Sequence, residues 1–443
     1  MDHGQLRMVA DKFHWVFSEP LLNACGTDRK FCRRQRVITP LRLGLALTAT
    51  CASQRVETSA DCHGGFHALC GTTVTSNAFS NQVATPRCAD FARTMTERLV
   101  SDMTLQVLGC KKGHACAAFH HIVMQDGSSC AIHDGVREVF PGRCKAVQPA
   151  AVALQTTMDV LCAAPTPVVL TPDTASEQAF VPEPTALRDS VLMADRGAVD
   201  VHSLRRVQAE GGFLLIRANA GMNPQVLEAC REDGQRWHSL RHKALQRIHA
   251  TLPNRQRVAR VVRWHVEGQP LCRRLLLSWN PRTKSFCSFL TNVPPQRDPL
   301  EVICRAYTWR WQVALLLKEW TSYANRHAFD TAKPALVEGL MWAAIAAAAL
   351  TRFVAHMTQL LTQVPLSTRK VAMCAIHVLG DVIEALKRGD VVELYTALEA
   401  AITSLACHAQ RAHPERDRPR GRMQLGLEPY FEHDDGIEFA EAA

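Results

Sequence analysis

The chain reads His121-Ile-Val-Met-Gln-Asp126-Gly-Ser128 in one place and Ser190-Val-Leu-Met-Ala-Asp195-Arg-Gly197 in another. Each stretch is a short apolar run that leads into an aspartate, which is typical of a buried β-strand with a carboxylate at its end. If the two strands are neighbours, their carboxylates repel each other unless a cation such as Mg²⁺ lies between them. Aspartates that merely end strands or cap turns fit the same pattern, so both interpretations stay open.

The composition is that of a folded protein with a large core. Of 443 residues, 47% are hydrophobic and 21% charged, which excludes a mostly disordered or collagen-like chain and suits two to four domains. The 17 cysteines form no C-x-x-C pair, which argues against a disulfide framework and a zinc ribbon. The closest metal-like cluster runs from Cys62 through His63 and His67 to Cys70. Its spacing matches no common zinc finger, and an ordinary helix surface is the preferred interpretation.

Positive charge is concentrated in one part of the chain. The net charge is +9, and the segment from Arg231 to Arg263 holds nine Lys or Arg against Glu232 and Asp233, which gives 9 − 2 = +7. This excess predicts a polyanionic partner such as DNA. A second basic cluster, at residues 29–36, fits DNA contact and a solvated face equally well.

No stretch has the length of a membrane span. The longest uncharged apolar run, Gly339 to Thr351, has 13 residues, whereas a bilayer span needs about 20. It predicts a buried helix. The N-terminus lacks the basic start and apolar run of a signal peptide. We therefore expect a cytoplasmic protein without a membrane partner.

Local patterns predict a mixed α/β chain. The first 110 residues read as helical, with Phe91, Met95, Leu99 and Met103 spaced by four. Residues 118–124 and 129–134 predict two strands joined by a turn at 125–128. Further strands are expected at 151–156, 167–170, 190–194, 213–217, 258–266, 272–279 and 286–291. The last three belong to a small basic, β-rich insertion outside the main sheet. A helical pattern follows from residue 300 to about 407, with breaks at Pro334 and Pro365.

A third element is the run Tyr307-Thr-Trp-Arg310-Trp-Gln-Val-Ala314-Leu-Leu-Leu-Lys318. At 100° per residue, Tyr307, Arg310, Ala314 and Lys318 fall within roughly 80° of one another on a helix. A tyrosine and two cations on one stripe suit a phosphate backbone. Aromatic core packing with basic side chains that reach solvent fits equally well.

These motifs together resemble the DDE transposases of bacterial insertion sequences, specifically the insertion-sequence-four family. That family has a strand with a first aspartate, an Asp-Arg-Gly segment, and a helix with the signature Tyr-x2-Arg-x3-Glu-x6-Lys. Here Gln125-Asp126-Gly127-Ser128, Ala194-Asp195-Arg196-Gly197 and Tyr307-x2-Arg310 occupy those places. Phe213-Leu-Leu-Ile-Arg217 resembles the strand after the second aspartate, and Leu290-Thr291-Asn292 the approach to the helix. The resemblance covers residues from about 13 to 427.

The resemblance implies an α/β fold with a ribonuclease-H-like catalytic core, formed by residues 111–211 and 300–330. It also implies a β-rich basic insertion at 212–299. The local patterns add a helical N-terminal region at 1–110, expected to bind DNA ends, a C-terminal helical region at 331–412 and, from its charged composition, a flexible tail at 413–443. By resemblance, Asp126 and Asp195 are catalytic and bind Mg²⁺ at a two-metal site. Arg196, Tyr307, Arg310 and Lys318 contact the DNA. The implied partner is double-stranded DNA, both transposon ends and target, and a homodimer in the DNA complex is compatible with the resemblance.

The chain departs from the family at one catalytic position. Ala314 stands where the family has its glutamate, Thr321 where it has the lysine, and Ala198 where a tyrosine usually follows Asp-Arg-Gly. Glu319 is no simple replacement, because it lies about 140° from Ala314 around a helix. Lys318, one turn beyond Ala314, could replace the missing lysine. The expectation is an insertion-sequence transposase with impaired cleavage; the alternative is a DNA-binding and assembly protein that does not cut.

Overall fold

A computed structural model gives the structure of the chain. It describes residues 3–32, 36–53, 56, 58–108, 119–144, 146–159, 168–195, 201–217, 225–231, 235–244, 247, 258–266, 269–280, 285–294, 307, 317 and 329–412. These residues form a mixed α/β protein with one large sheet and two groups of helices. The predicted mixed α/β class is therefore confirmed. The N-terminal group of helices is α1 (His3–Val16), α2 (Glu19–Asp28), α3 (Pro40–Ala52), α4 (Ser59–Cys70), α5 (Ser76–Val83) and α6 (Pro86–Leu108).

Side-chain caps begin several of these helices. The hydroxyl of Ser18 accepts a hydrogen bond at the start of α2, and that of Thr39 does the same for α3. Thr58 and Asp61 form a capping box at α4. Each cap satisfies backbone N–H groups that have no partner inside the helix. The predicted helical N-terminal region is confirmed, with Phe91, Met95 and Leu99 buried on one face of α6.

The strands form a single nine-stranded sheet in the order β3-β2-β1-β4-β5-β9-β8-β7-β6. Strands β1, β2 and β3 are antiparallel, β1, β4 and β5 are parallel, and β5, β9, β8, β7 and β6 are antiparallel. Helix α7 (Val201–Ala209) connects β4 to β5. The strands are β1 (Ile122–Ala131), β2 (Ala151–Asp159), β3 (Val168–Pro172), β4 (Val191–Ala194), β5 (Phe213–Arg217), β6 (Gln225–Arg231), β7 (Val258–Val266), β8 (Gln269–Asn280) and β9 (Ser285–Thr291).

Strand β1 is continuous, so the turn predicted at residues 125–128 is wrong. Strand β2 pairs with it from Val123 to Ala131. Position 127 favours glycine, because a Cβ there would lie 2.5 Å from the side-chain oxygen of Gln155. That contact is too short for any residue but glycine unless Gln155 moves, and Gln155 is buried. Asp126 therefore lies within a strand and not after one.

The basic β-rich segment continues the main sheet, so the predicted insertion outside that sheet is also wrong. Strand β9 pairs with β5 through Leu215 and Thr291. Beyond this pairing, the side chain of Asn292 accepts a hydrogen bond from the Leu214 amide at 2.7 Å and donates one to the Gly212 carbonyl at 2.8 Å. The edge of β5 is thus covered by β9, which explains why the segment does not form a separate sheet.

The C-terminal helices are α8 (Pro334–Thr362), α9 (Thr368–Arg388) and α10 (Val391–His408). By length and composition α8 could cross a membrane, but 72% of its most apolar window is buried inside the protein. The buried helix predicted for Gly339 to Thr351 is therefore confirmed, and this burial is consistent with a soluble protein. Helix α8 packs against α6 and α3, and the hydroxyl of Thr96 on α6 donates to the Trp342 carbonyl on α8.

The sheet separates two hydrophobic clusters. One face packs against both groups of helices and includes Met124, Met193 and Leu215, together with Tyr307 and Leu317. We call this the bundle face. The opposite face packs against α7. The assignment follows the two-residue alternation of strands, in which successive side chains point to opposite faces.

Candidate active site

Asp126 and Asp195 lie on neighbouring parallel strands. Strands β1 and β4 pair with Met124 opposite Met193. Two residues further along each strand, the same register brings Asp126 beside Asp195. Adjacent strands lie about 4.8 Å apart, so the two side chains are within reach of one cation. The expected adjacency of the two strands is confirmed.

Both carboxylates belong to the bundle face. Met124 and Met193 belong to that face, and a step of two residues keeps each aspartate on it. Both residues are partly buried. Oδ1 of Asp195 is buried and receives no hydrogen bond from the described residues. A buried carboxylate oxygen without a donor is costly, and a bound cation would remove that cost.

This donor set fits Mg²⁺. A hard cation takes oxygen ligands, and Mg²⁺ typically uses one or two carboxylates plus substrate phosphate. Asp126 and Asp195 supply two such ligands. Within the described ranges, no group of three or more His, Cys, Asp or Glu side chains could hold a metal ion. The site therefore offers a pair of carboxylates, and a third ligand would come from elsewhere.

Tyr307 lies against the end of β4. Its hydroxyl donates to the carbonyl of Ala194 at 3.3 Å, and its ring packs on Phe289 with centroids 4.8 Å apart. Only 6% of its surface is exposed. In this position Tyr307 fixes the backbone directly before Asp195. The DNA contact expected of Tyr307 stays a prediction.

The other predicted site residues lie outside the described residues. These are Arg196, Arg310 and Lys318, which were expected to contact DNA, and Ala314 at the position of the third acid. Glu319 lies outside them as well. Their assignments stay predictions. Leu317, close to them in sequence, is described and fully buried in the same cluster as Tyr307.

Two residues of this region were missed in the sequence. Thr156 on β2 lies opposite Asp126 and is buried. Arg217 is the last residue of β5. Ala194 pairs with Ile216, so the next residue of each strand brings Arg217 beside Asp195. The four residues Thr156, Asp126, Asp195 and Arg217 thus form a row across the bundle face. Arg217 could have been found from the signal that identified Asp195, namely a charged residue that directly follows an apolar strand.

The basic segment between β6 and β7 faces solvent where it is described. Four of its cations are exposed: Arg236, Arg241, Lys243 and Arg247. Residues 235–244 contain no acid. Strand β6 is the last strand of the sheet, so these cations extend from its edge. In the N-terminal cluster, Arg29, Lys30 and Arg36 are exposed as well.

The Cys62 to Cys70 cluster has a structural role in this fold. The ring of His63 hydrogen-bonds the carbonyl of Val74 at 2.7 Å, and Nε2 of His67 accepts from the Val74 amide at 3.1 Å. These bonds hold the loop after α4. Burial, with a smaller contribution from Asp61, raises the pKa of the Cys62 thiol to about 12. The burial of Cys62 and the hydrogen bonds of His63 and His67 thus give the cluster a packing role.

Comparisons with known proteins add no relative. The chain matches no protein-family model, and no curated protein matches it significantly. The resemblance to DDE transposases therefore rests on the sequence motifs.

Proposed function

We propose that the protein is a DNA-binding transposase of the DDE type, similar to the insertion-sequence-four family, whose cleavage site retains two of the usual three acids. One observation carries the proposal. Strands β1 and β4 pair in parallel up to Met124 and Met193, and extending this register by two residues places Asp126 beside Asp195, 69 residues apart in sequence. Carboxylates so placed are suited to metal-dependent cleavage of a phosphodiester.

The strand order supports a ribonuclease-H-like core. Three antiparallel strands, β3-β2-β1, are followed by two that run parallel to β1. In such a core the first two acids belong on the central strands, and β1 and β4 are central here. Tyr307 on the bundle face agrees with a signature helix that packs over the acids.

The chain's own residues would hold and orient the reactants. Asp126 and Asp195 would bind Mg²⁺, which when bound activates a water or 3′-hydroxyl and stabilises the leaving oxygen. Tyr307 would keep the end of β4 in place through the Ala194 carbonyl. Arg196, Arg310 and Lys318 would contact phosphates, by resemblance. The exposed cations between β6 and β7 would add a DNA surface.

A second candidate function is a DNA-binding and assembly protein that does not cut. It is favoured by the methyl side chain of Ala314 at the position of the third acid. By resemblance, a glutamate at this position would complete the metal site with Asp126 and Asp195. The described residues on either side, Tyr307 and Leu317, are both buried on the bundle face. Both candidates imply double-stranded DNA as partner, a homodimer on DNA as an option, and a cytoplasmic location.

The experiment that separates the two candidates restores the acid. Nicking of supercoiled plasmid DNA is measured with Mg²⁺ or Mn²⁺ for the unmodified chain and for Ala314→Glu, with Ala314→Gln as the matched uncharged control. We expect little or no nicking by the unmodified chain and by Ala314→Gln, and metal-dependent nicking by Ala314→Glu that Asp126→Asn abolishes. Losing a directly bound ligand should cost more than the roughly 10–100-fold typical of an outer-shell partner.

Two other results would change the proposal. If Ala314→Glu binds DNA but never nicks it, the assembly protein is the better description. If the unmodified chain nicks efficiently and Asp126→Ala stops it, another acid completes the site. Glu319 would be tested first, and its helix would need an irregularity such as a π-bulge to turn the carboxylate toward the two aspartates.

A further inference from the structure

Arg217 adds a fixed positive charge to the row that contains both aspartates. It follows Ile216, which pairs with Ala194, and so comes beside Asp195. On its other side it pairs with Phe289 of β9. Phe289 and Leu215 both belong to the bundle face, so Arg217 lies on the face of the two carboxylates.

Arg217 does not hydrogen-bond the buried carboxylate oxygen of its neighbour Asp195. Oδ1 of Asp195 receives no hydrogen bond from Arg217 or from any other described residue. An arginine placed only to neutralise Asp195 would be expected to donate to that oxygen, because the guanidinium fork matches a carboxylate. Arg217 therefore lies beside Asp195 on the bundle face without donating to that buried oxygen.

The formal charges point to the number of cations that the site can hold. Among the described residues of the row, Asp126, Asp195 and Arg217 sum to −1. The cations that the resemblance adds, Arg196, Arg310 and Lys318, would only make a second dication costlier. One dication brings the sum to +1, which a phosphodiester of charge −1 balances. Two dications bring it to +3, and Ala314 supplies no third carboxylate to reduce that excess. Like charges this close in a partly buried site repel strongly, because the local dielectric is low.

We propose that the site holds one divalent cation and that Arg217 binds the non-bridging oxygens of the DNA phosphodiester where a second cation would otherwise act. The inference rests on the proposed function, since it assumes that the substrate is a phosphodiester. A guanidinium suits this role because it stays charged at every physiological pH and offers two parallel donors to a phosphate. The ring of Phe289, 3% exposed, borders Arg217 on the side away from Asp195.

The test measures cation count and phosphodiester binding separately, on the full chain. Mn²⁺ is titrated and followed by electron paramagnetic resonance, and dimethyl phosphate, a minimal phosphodiester, is followed through the ³¹P relaxation caused by bound Mn²⁺. We expect one Mn²⁺ per chain for the unmodified protein and two for Ala314→Glu. Arg217→Gln should keep its single Mn²⁺ but bind dimethyl phosphate roughly ten- to a hundredfold more weakly, because a charged hydrogen-bond donor is lost.

Two control variants define what the result means. Arg206→Gln removes an exposed arginine of α7, which packs on the opposite face, and should change neither quantity. Arg217→Lys keeps the positive charge but loses the two parallel donors of the guanidinium, and should bind dimethyl phosphate with intermediate affinity. This variant also keeps the test decisive if Arg217→Gln does not fold.

The outcomes that overturn the inference differ from those that overturn the proposed function. Two Mn²⁺ ions on the unmodified chain would contradict the single-cation site. Unchanged dimethyl phosphate binding in both Arg217 variants would remove the role of Arg217 while leaving the metal site intact. Failure of the unmodified chain and of Ala314→Glu to bind any Mn²⁺ would contradict the proposed function itself.

Discussion

The helical bundle and the sheet both bury side-chain polar atoms to which no described residue hydrogen-bonds, and these atoms differ in charge. The indole N–H of Trp342 is a neutral example from the bundle, and Oδ1 of Asp195 is the carboxylate oxygen among those of the sheet. A neutral group left in this way costs about 1–3 kcal/mol, and an ionised one costs more. The more costly group is therefore Asp195, which shares its face of the sheet with Asp126, and a cation bound there would remove the cost.

The two regions also differ in how closely they follow local patterns. In the bundle, apolar residues recur at helical spacing and caps mark the helix starts. In the sheet, Asp126 and Gly127 interrupt an apolar run that nonetheless forms one strand. The bundle thus follows its local pattern, whereas Asp126 and Gly127 depart from the apolar composition of their strand while keeping its two-residue period.

The largest expected effect is on the stability of the bundle. Phe353 is 1% exposed and its ring packs against Phe13 with centroids 5.2 Å apart. Phe353→Ala should lower the free energy of unfolding by about 3–5 kcal/mol, since it removes buried apolar contacts and leaves a cavity. Val392→Ala, at a 76% exposed position of α10, should change it by less than about 0.5 kcal/mol. Denaturant titration of both variants checks the difference, and equal losses would show that the bundle core is not formed as described.

The next effect concerns the basic edge of the sheet. Replacing Arg236, Arg241, Lys243 and Arg247 by glutamine should flatten the slope of log K against log salt for duplex DNA by roughly 3 to 4, because each phosphate contact releases about one counterion. Fluorescence anisotropy between 50 and 200 mM salt gives the slope. Replacing exposed Arg137 and Arg206, away from this edge, serves as the control. An unchanged slope in the fourfold variant would show that these four cations form a solvated face that does not contact DNA.

A smaller effect is expected within β1. Gly127→Ala should cost about 1–3 kcal/mol of stability, because the new methyl group meets the buried amide of Gln155. The cost should shrink when Gln155→Ala is already present, since the obstructing atoms are then gone. Thermal unfolding of the two single variants and the double variant gives this coupling. Simple additivity would show that Gly127 and Gln155 are not in contact.

Much of the fold could be predicted from the sequence, because most elements carry a complete local signal. Strands β5 and β7 have the predicted bounds, and β4 and β9 differ from theirs by one residue. The breaks at Pro334 and Pro365 fall at the start of α8 and between α8 and α9. Helical periodicity, proline and β-branched runs act within a few residues of each other, so one sequence suffices to read them.

The errors arose where a long-range contact decided the structure. An Asp-Gly-Ser segment is a strong turn signal, yet pairing with β2 and the space needed by Gln155 keep it extended. The attachment of the basic strands to the main sheet depends on β9 pairing with β5 and on the bridge made by Asn292, and no local pattern reports either. At the site, the two aspartates were identified as a pair, but Arg217 was read only as part of a strand.

The measurement that most directly tests the carboxylate pair is the effect of Mn²⁺ on thermal unfolding. A cation that binds only the folded state raises the unfolding temperature with its concentration. We expect this rise for the unmodified chain and for Asp134→Asn, which removes an exposed acid elsewhere, and no rise for Asp126→Asn or Asp195→Asn. Without metal, Asp195→Asn should unfold within about 0.5 kcal/mol of the unmodified chain, or be more stable, because it removes a buried charge. A rise that persists in both site variants would contradict the claim that Asp126 and Asp195 form one metal site.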